Sequence, residues 1–322
     1  MTLWARNLKK QQEEKQRSVD KNYDPDWYWS VLFNRQALYS ELIQVWQFSK
    51  RRIPVLNRFT GTVSTVAEKF FPPISQPLDV ELPWGTVAFP ETMRLPAHSP
   101  SNRTYMSGRY ELDVVDKIQH LNLDGTVAID IGAHAGYFSR LFANSGAIVM
   151  AFEPNPTSFQ YLSSNMRGFE HVRLFESAVG GENRYAYLSD TSTLERGKIT
   201  SQGTYSVRVV TLDSRVKENL HESYPISLIK IDVEGLEGEV LRGASETLKN
   251  NKGIGLIVEY SPKEDDRIGT HWDELRGILL EYGFKKYEAL ERHTTHELSA
   301  PFPYLADNGI YNLYIQPREG EL

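Results

Sequence analysis

The segment from Val127 to Ser139, Val-Ala-Ile-Asp-Ile-Gly-Ala-His-Ala-Gly-Tyr-Phe-Ser, leaves this chain few ways to fold. Val127, Ile129 and Ile131 are apolar and β-branched and read as a buried strand, Gly132 and Gly136 bracket a tight turn, and Tyr137, Phe138, Leu141 and Phe142 continue at helical spacing. A strand that stops, turns on glycine and enters a helix is how α/β proteins open a ligand crevice faced by helix-start N–H groups. The glycines are spaced G-x-x-x-G, not the G-x-G-x-x-G that lets backbone approach a dinucleotide pyrophosphate. Asp130, at the strand's C-terminal end, would repel phosphate but accept hydrogen bonds from an ammonium group.

The next apolar run, Ile148 to Phe152, also ends in an acid, Glu153, followed by Pro154. Glu153 lies 23 residues after Asp130, close to the roughly 20-residue interval at which a nucleotide-binding βαβ unit places its ribose carboxylate. A ligand with an ammonium, a ribose and a positive centre but no phosphate suits both acids. S-adenosylmethionine (SAM), with its cationic sulfonium, is the expected cofactor. A nicotinamide-dependent oxidoreductase would need glycine where Ala133 and His134 stand.

Composition narrows the rest. A chain of 322 residues with 40% hydrophobic content can fill one large core plus an appendage. Its net charge of -6 argues against a nucleic-acid partner. With no cysteine, thiolate metal sites and cysteine nucleophiles are excluded. No window approaches the ~18 apolar residues of a membrane span, and Leu3 to Arg17 is charged where a signal peptide needs an apolar region. The cytoplasm is the expected location.

Along the chain, residues 1–25 form a polar arm expected to be frayed or disordered. Residues 26–107 form a helical and irregular extension. Trp27, Val31, Leu38, Leu42 and Val45 share one face of an amphipathic helix between Asp26 and Arg52, packed on its own domain or serving as a homodimer contact, a lid over the substrate or a surface resting on a membrane. Frequent proline from residue 53 to 108 precludes long helices, and Asp79 to Phe89 is expected as a short hairpin. From residue 108 to 322 strands alternate with helices: helices at Leu112 to Leu121, Glu237 to Leu248 and Trp272 to Tyr282, and strands at Val172 to Phe175, Ile226 to Ile231, Ile254 to Tyr260, Phe284 to Ala289 and Ile310 to Gln316. The fold class is α/β, a doubly wound, mostly parallel sheet.

Ligands bind such sheets beyond the C-terminal strand ends. Acids stand at several of them: Asp130, Glu153, Asp232 in Ile229-Lys230-Ile231-Asp232-Val233-Glu234-Gly235, and Glu259. These segments, with Ser177-Ala178-Val179-Gly180 and the continuation of the Asp232 motif through Gly243-Ala244, resemble the FkbM-type family of class I SAM-dependent methyltransferases. The resemblance spans about residues 108 to 316. It implies a Rossmann-like sheet of seven strands with the last antiparallel, and transfer of a methyl group to a hydroxyl of a small molecule or glycan: a sugar, a lipid-linked saccharide or a polyketide-type product.

Carried over residue by residue, the resemblance assigns Asp130, Gly132 and Gly136 to the methionine end of SAM and Glu153 to the ribose, with Ala133, His134, Tyr137 and Pro154 also expected at the cofactor. It assigns Ser177 and Ala178 to the adenine, with Glu111 a further candidate for the methionine end. Asp232 is the expected general base and Glu234 the second choice, unless both only shape the turn after their strand. No metal is expected, because His293 and His296 lack an evident third ligand. The rival of a different kind is a scaffold that keeps this fold, binds SAM and transfers nothing.

Overall fold

The computed structural model describes residues 78–80, 82–89, 110–188, 199–200, 205–233, 235–262, 270–304 and 309–318. The polar arm, the aromatic helix and the dimer contact expected on it, and most of the proline-rich stretch lie outside these residues, as does Glu234. The chain divides into two units, one of residues 1–75, 80–83 and 94–110 and one of residues 76–79, 84–93 and 111–322. The second carries the sheet and the acids.

A hairpin comes first, β1 (Leu78–Val80) and β2 (Val87–Phe89), as expected of Asp79 to Phe89. Next come α1 (Leu112–His120), β3 (Val127–Ile131), α2 (Tyr137–Asn144), β4 (Ile148–Phe152), α3 (Pro156–Asn165) and β5 (Val172–Phe175). Short strands β6 (Ala178–Val179), β7 (Arg184–Leu188), β8 (Ile199–Thr200) and β9 (Tyr205–Val210) form a separate four-stranded sheet. After α4 (Leu212–Asn219) the main sheet resumes with β10 (Ile226–Ile231), α5 (Glu237–Arg242), α6 (Ser245–Asn250), β11 (Gly255–Tyr260), α7 (Trp272–Glu281), β12 (Lys286–Ala289), β13 (Thr294–Glu297) and β14 (Tyr311–Ile315).

The main sheet runs β13-β12-β14-β11-β10-β3-β4-β5. Neighbours from β11 to β5 pair in parallel, and β14 is antiparallel to both β11 and β12. Without β13 this is the expected seven-stranded sheet with an antiparallel last strand. The eighth, β13, folds back on β12 through a tight turn in which His293 adopts φ 51°. His296 therefore lies in a strand, not a loop, and its Nε2 is 3.0 Å from Thr294 Oγ1 and 3.3 Å from Tyr304 Oη.

The strands flanking the centre are apolar because both faces are covered. Every residue of β3 is buried, and Ile129, Ile131, Ile229, Ile231, Leu256 and Val258 join one cluster with Val240, Leu241 and Leu248 from the helices. Full burial explains runs of branched residues in place of strict alternation.

The helix expected over Glu237 to Leu248 is two helices. A Cβ on Gly243 would lie 2.0 Å from the Gly180 carbonyl oxygen, so the chain must turn there against the loop of the small sheet. Asp213 then caps the second helix, its Oδ1 accepting from Thr247 N at 2.8 Å and its Oδ2 from Glu246 N at 3.0 Å.

Candidate active site

Three of the acids stand at the C-terminal ends of adjacent parallel strands: Asp130 in β3, Glu153 just beyond β4 and Asp232 just beyond β10. The glycine turn binds these ends together. Gly132 adopts φ 85°, and a Cβ there would lie 1.9 Å from the Asp232 carbonyl oxygen. Only glycine permits both the backbone angle and this approach. The Gly132 and Ala133 amides each donate to the Phe152 carbonyl at 3.0 Å, which ties the turn to the end of β4. His134 follows at φ 50°, and Gly136, at φ 89°, starts α2 against Leu162. Tyr137 is buried edge-on to Phe138 and to Trp84, at 5.0 and 5.3 Å between ring centroids.

Each acid has its own surroundings. Asp130 is 1% exposed; its Oδ2 accepts from Ser139 Oγ at 2.5 Å, while its Oδ1 is buried with no hydrogen-bond partner. Burial raises its pKa, against the pull of Lys230 and Ser139. Glu153 accepts from the His134 amide at 2.8 Å and the Asn155 amide at 2.7 Å. Asn155 also caps α3, so the glycine turn and the next helix hold this carboxylate from two sides. Burial nevertheless pushes its pKa up to about 7. His134 is driven by burial down to about 4, with Asp232 opposing, and is neutral at pH 7.

Asp232 differs from both. Its side chain is 18% exposed and its Oδ2 accepts from Lys230 Nζ at 2.7 Å. Burial pushes its carboxyl up, but Lys230 outweighs that, with help from a hydrogen bond to Glu259, and holds it below the ordinary carboxylate range. Glu111, Asp232 and Glu259 bring carboxylate oxygens within 4.8 Å of one another, close enough to share one cation. The chain supplies one of its own in Lys230.

The residues present fit SAM. The orphaned Asp130 Oδ1 lacks a donor such as an ammonium group, and Glu153 keeps lone pairs beyond the two amides it accepts from. Beyond β5, the next strand out, Ser177 Oγ is likewise buried with no hydrogen-bond partner, and Ala178 opens the small sheet as β6. That expected loop is thus partly strand.

The methyltransferase FkbM domain model matches residues 130–286. Hexuronic acid methyltransferase AglP of Haloferax volcanii is 30% identical over 165 residues, half of this chain and 67% of that protein. The chain belongs to the FkbM methyltransferase family. 2-O-methyltransferase NoeI of Sinorhizobium fredii is 29% identical over 160 residues, and methyltransferase sdnD of Sordaria araneosa 30% over 190 residues. These matches take in 43% and 48% of this chain and span 64% of each relative.

Within this FkbM domain the fold brings Asp130, Gly132, Ala133, His134, Glu153 and Asp232 to one end of the sheet, where Glu111, ahead of the matched residues, joins them. Pro154 is half-buried beside Glu153. Sequence reasoning gave no role to Lys230, 2% exposed and centred 4.6 Å over the Phe138 ring. A signal was present: a lysine between isoleucines in a buried strand requires a partner, and Asp232 stands two residues on, the spacing of one strand face. Asn165 was missed as well. Its Nδ2 donates to the Ala88 and Ala135 carbonyls at 2.8 and 2.7 Å, and its Oδ1 accepts from Ala88 N at 2.8 Å, fastening the hairpin to the glycine turn. No local pattern marks an asparagine near a helix end for a partner 77 positions away.

Proposed function

We propose that this chain is a SAM-dependent O-methyltransferase acting on a hydroxyl of a small molecule or glycan. The observation that carries the reading is the convergence of Asp130, Glu153 and Asp232 at neighbouring strand ends around a glycine turn that only glycine can make. SAM supplies an electrophilic methyl group on a positively charged sulfur. Asp130 and Glu111 hold the methionine end, Glu153 the ribose, and Ser177 and Ala178 line the adenine side. Asp232, the one of the three strand-end acids with a partly exposed side chain, takes the proton from the acceptor hydroxyl, which is a poor nucleophile until that proton is drawn away.

The acidic surroundings also select the acceptor. A carboxylate brought beside Glu111, Asp232 and Glu259 would meet like charge, whereas a hydroxyl would meet acceptors for its proton. This favours an ether product over a methyl ester, and an oxygen acceptor is consistent with the 2-O-methyltransferase among the relatives. Glu234 is a reserve candidate for the base. The cytoplasm, where SAM is available, is the proposed location, and nucleic acid is not a proposed partner.

Asp232→Asn is expected still to bind both ligands, S-adenosylhomocysteine (SAH) as tightly as the parent and SAM with less preference over it, while losing about 10² or more of its turnover. Calorimetry and transfer of labelled methyl into cell-extract glycans measure the two. Label released by mild base would mark an ester and refute the hydroxyl acceptor. No binding of either ligand to the parent chain would refute the enzyme.

A further inference from the structure

Lys230 is a full positive charge inside the sheet. Parallel pairing sets it beside Asp130 on β3 and Ile257 on β11, and its ammonium emerges under the first turn of α2, over the Phe138 ring. Burying an ammonium costs several kcal/mol unless it is paired. Desolvation does pull this lysine's pKa down, but Asp232, Glu111 and Asp130 together outweigh it and leave the group firmly protonated. A methionine would fill the same space with no charge to compensate.

We propose that Lys230 is a positioning residue that keeps the Asp232 carboxylate ionised and fixed beside the methyl donor's sulfonium. The inference rests on the donor reading above and adds to it a reason why Asp232, crowded by other acids, stays charged. The groups facing Asp232 come from every neighbouring element: Asp130 from β3, Glu111 ahead of α1, Glu259 from β11 and His134 from the glycine turn. The charges of Asp130 and Glu111 oppose ionisation of Asp232, the hydrogen bond to Glu259 favours it, and His134 is neutral. Lys230, at 2.7 Å, is the largest influence favouring its ionised form. Without it, burial and like charge would raise the Asp232 pKa and favour the protonated carboxyl.

The consequence can be read without knowing the acceptor. SAM and SAH share the ammonium, ribose and adenine and differ in the charge on sulfur. The ratio of their affinities therefore reports the field at the sulfur, and contributions from Glu153 to the ribose largely cancel. Isothermal titration of the full chain with SAM and with SAH from pH 5.5 to 8.5 gives this ratio for the parent, Lys230→Met and Lys230→Arg. In Lys230→Met the preference for SAM should fall on acidification by about tenfold more than in the parent, as Asp232 takes up a proton. At pH 8.5, where Asp232 is ionised in both, Lys230→Met should prefer SAM at least as strongly as the parent, and Lys230→Arg should track the parent throughout. A lysine that merely packs the core would, when replaced, change both affinities together, so a Lys230→Met ratio parallel to the parent's at every pH overturns the proposal.

A second measurement needs neither ligand nor a foldable Lys230 variant. Carbon-13 NMR of aspartate-labelled parent, with the Asp232 signal assigned by its loss in Asp232→Asn, gives the Asp232 midpoint directly. A midpoint below the ordinary value of about 3.9 supports the proposal, and one at or above it overturns it. Absence of SAM and SAH binding by the parent would refute the donor reading instead, leaving the midpoint to decide on Lys230.

Discussion

Glu153 is under opposing demands that pH makes visible. Its two backbone donors favour the charged carboxylate, yet burial carries its pKa to about 7. A carboxyl raised in the folded state contributes stability that is fully present below its unfolded value, about 4.3, and lost as pH rises through about 7. The ligand-free chain should therefore lose stability over that window. In the proposed ribose role, two hydroxyls donating to the ionised form would reverse the preference, so SAH affinity should rise between pH 6 and 8. Glu153→Gln should flatten that rise and weaken SAH about tenfold or more, since charge-assisted hydrogen bonds are worth about 1.5–3 kcal/mol. Calorimetry across the range decides, and an unchanged pH profile in the variant would remove Glu153 from ribose binding. At this scale a local strand-turn-helix pattern was enough to place Asp130, Gly132 and Glu153 at neighbouring strand ends around one turn. It gave Lys230 no role, because the ammonium's value depends on carboxylates arriving from other strands.

At the scale of elements, the site depends on fastenings between segments distant in the chain. Asn165 joins α3 to β2 and to the glycine turn through three hydrogen bonds. Replacing it with alanine leaves the Ala88 and Ala135 groups without that partner, at about 2–3 kcal/mol in all. Asn165→Ala should lower the melting temperature and speed hydrogen exchange at the Ala88 amide, and protection equal to the parent's would show the hairpin is held otherwise. Gly243 makes the same point through steric fit. Its approach to Gly180 marks the point where one expected helix becomes two, against the loop after β6. Gly243→Ala should destabilise the fold by about 2 kcal/mol or more, as overpacking against rigid backbone does, measured by chemical denaturation. Helical periodicity continued across the break, so the sequence pattern showed one helix where contact with a distant loop imposes two.

For the molecule as a whole, binding should be felt well beyond the site, because the acids sit on strands that form the centre of the core. SAH at a hundred times its dissociation constant should add about 2.7 kcal/mol. At about 2–4 °C per kcal/mol for a domain of this class, the melting temperature should rise by roughly 5–10 °C. A scan with and without ligand measures it, and no shift at saturation would place the ligand off the native fold.

The alternation of buried strands and amphipathic helices was enough to settle a doubly wound sheet, and strand-end acids with a G-x-x-x-G turn were enough to point to a cationic nucleotide-like ligand. Both follow from short-range rules, since strand burial, turn geometry and helix starts are written in neighbouring residues. Tertiary structure alone decided that β13 extends the sheet, that Glu111, Asp232 and Glu259 meet, and that Lys230 lies between Asp130 and Asp232. The meetings of Glu111 with Asp232 and of Lys230 with Asp130 depend on parallel register and crossover packing, which join residues a hundred or more positions apart and leave no trace in local spacing.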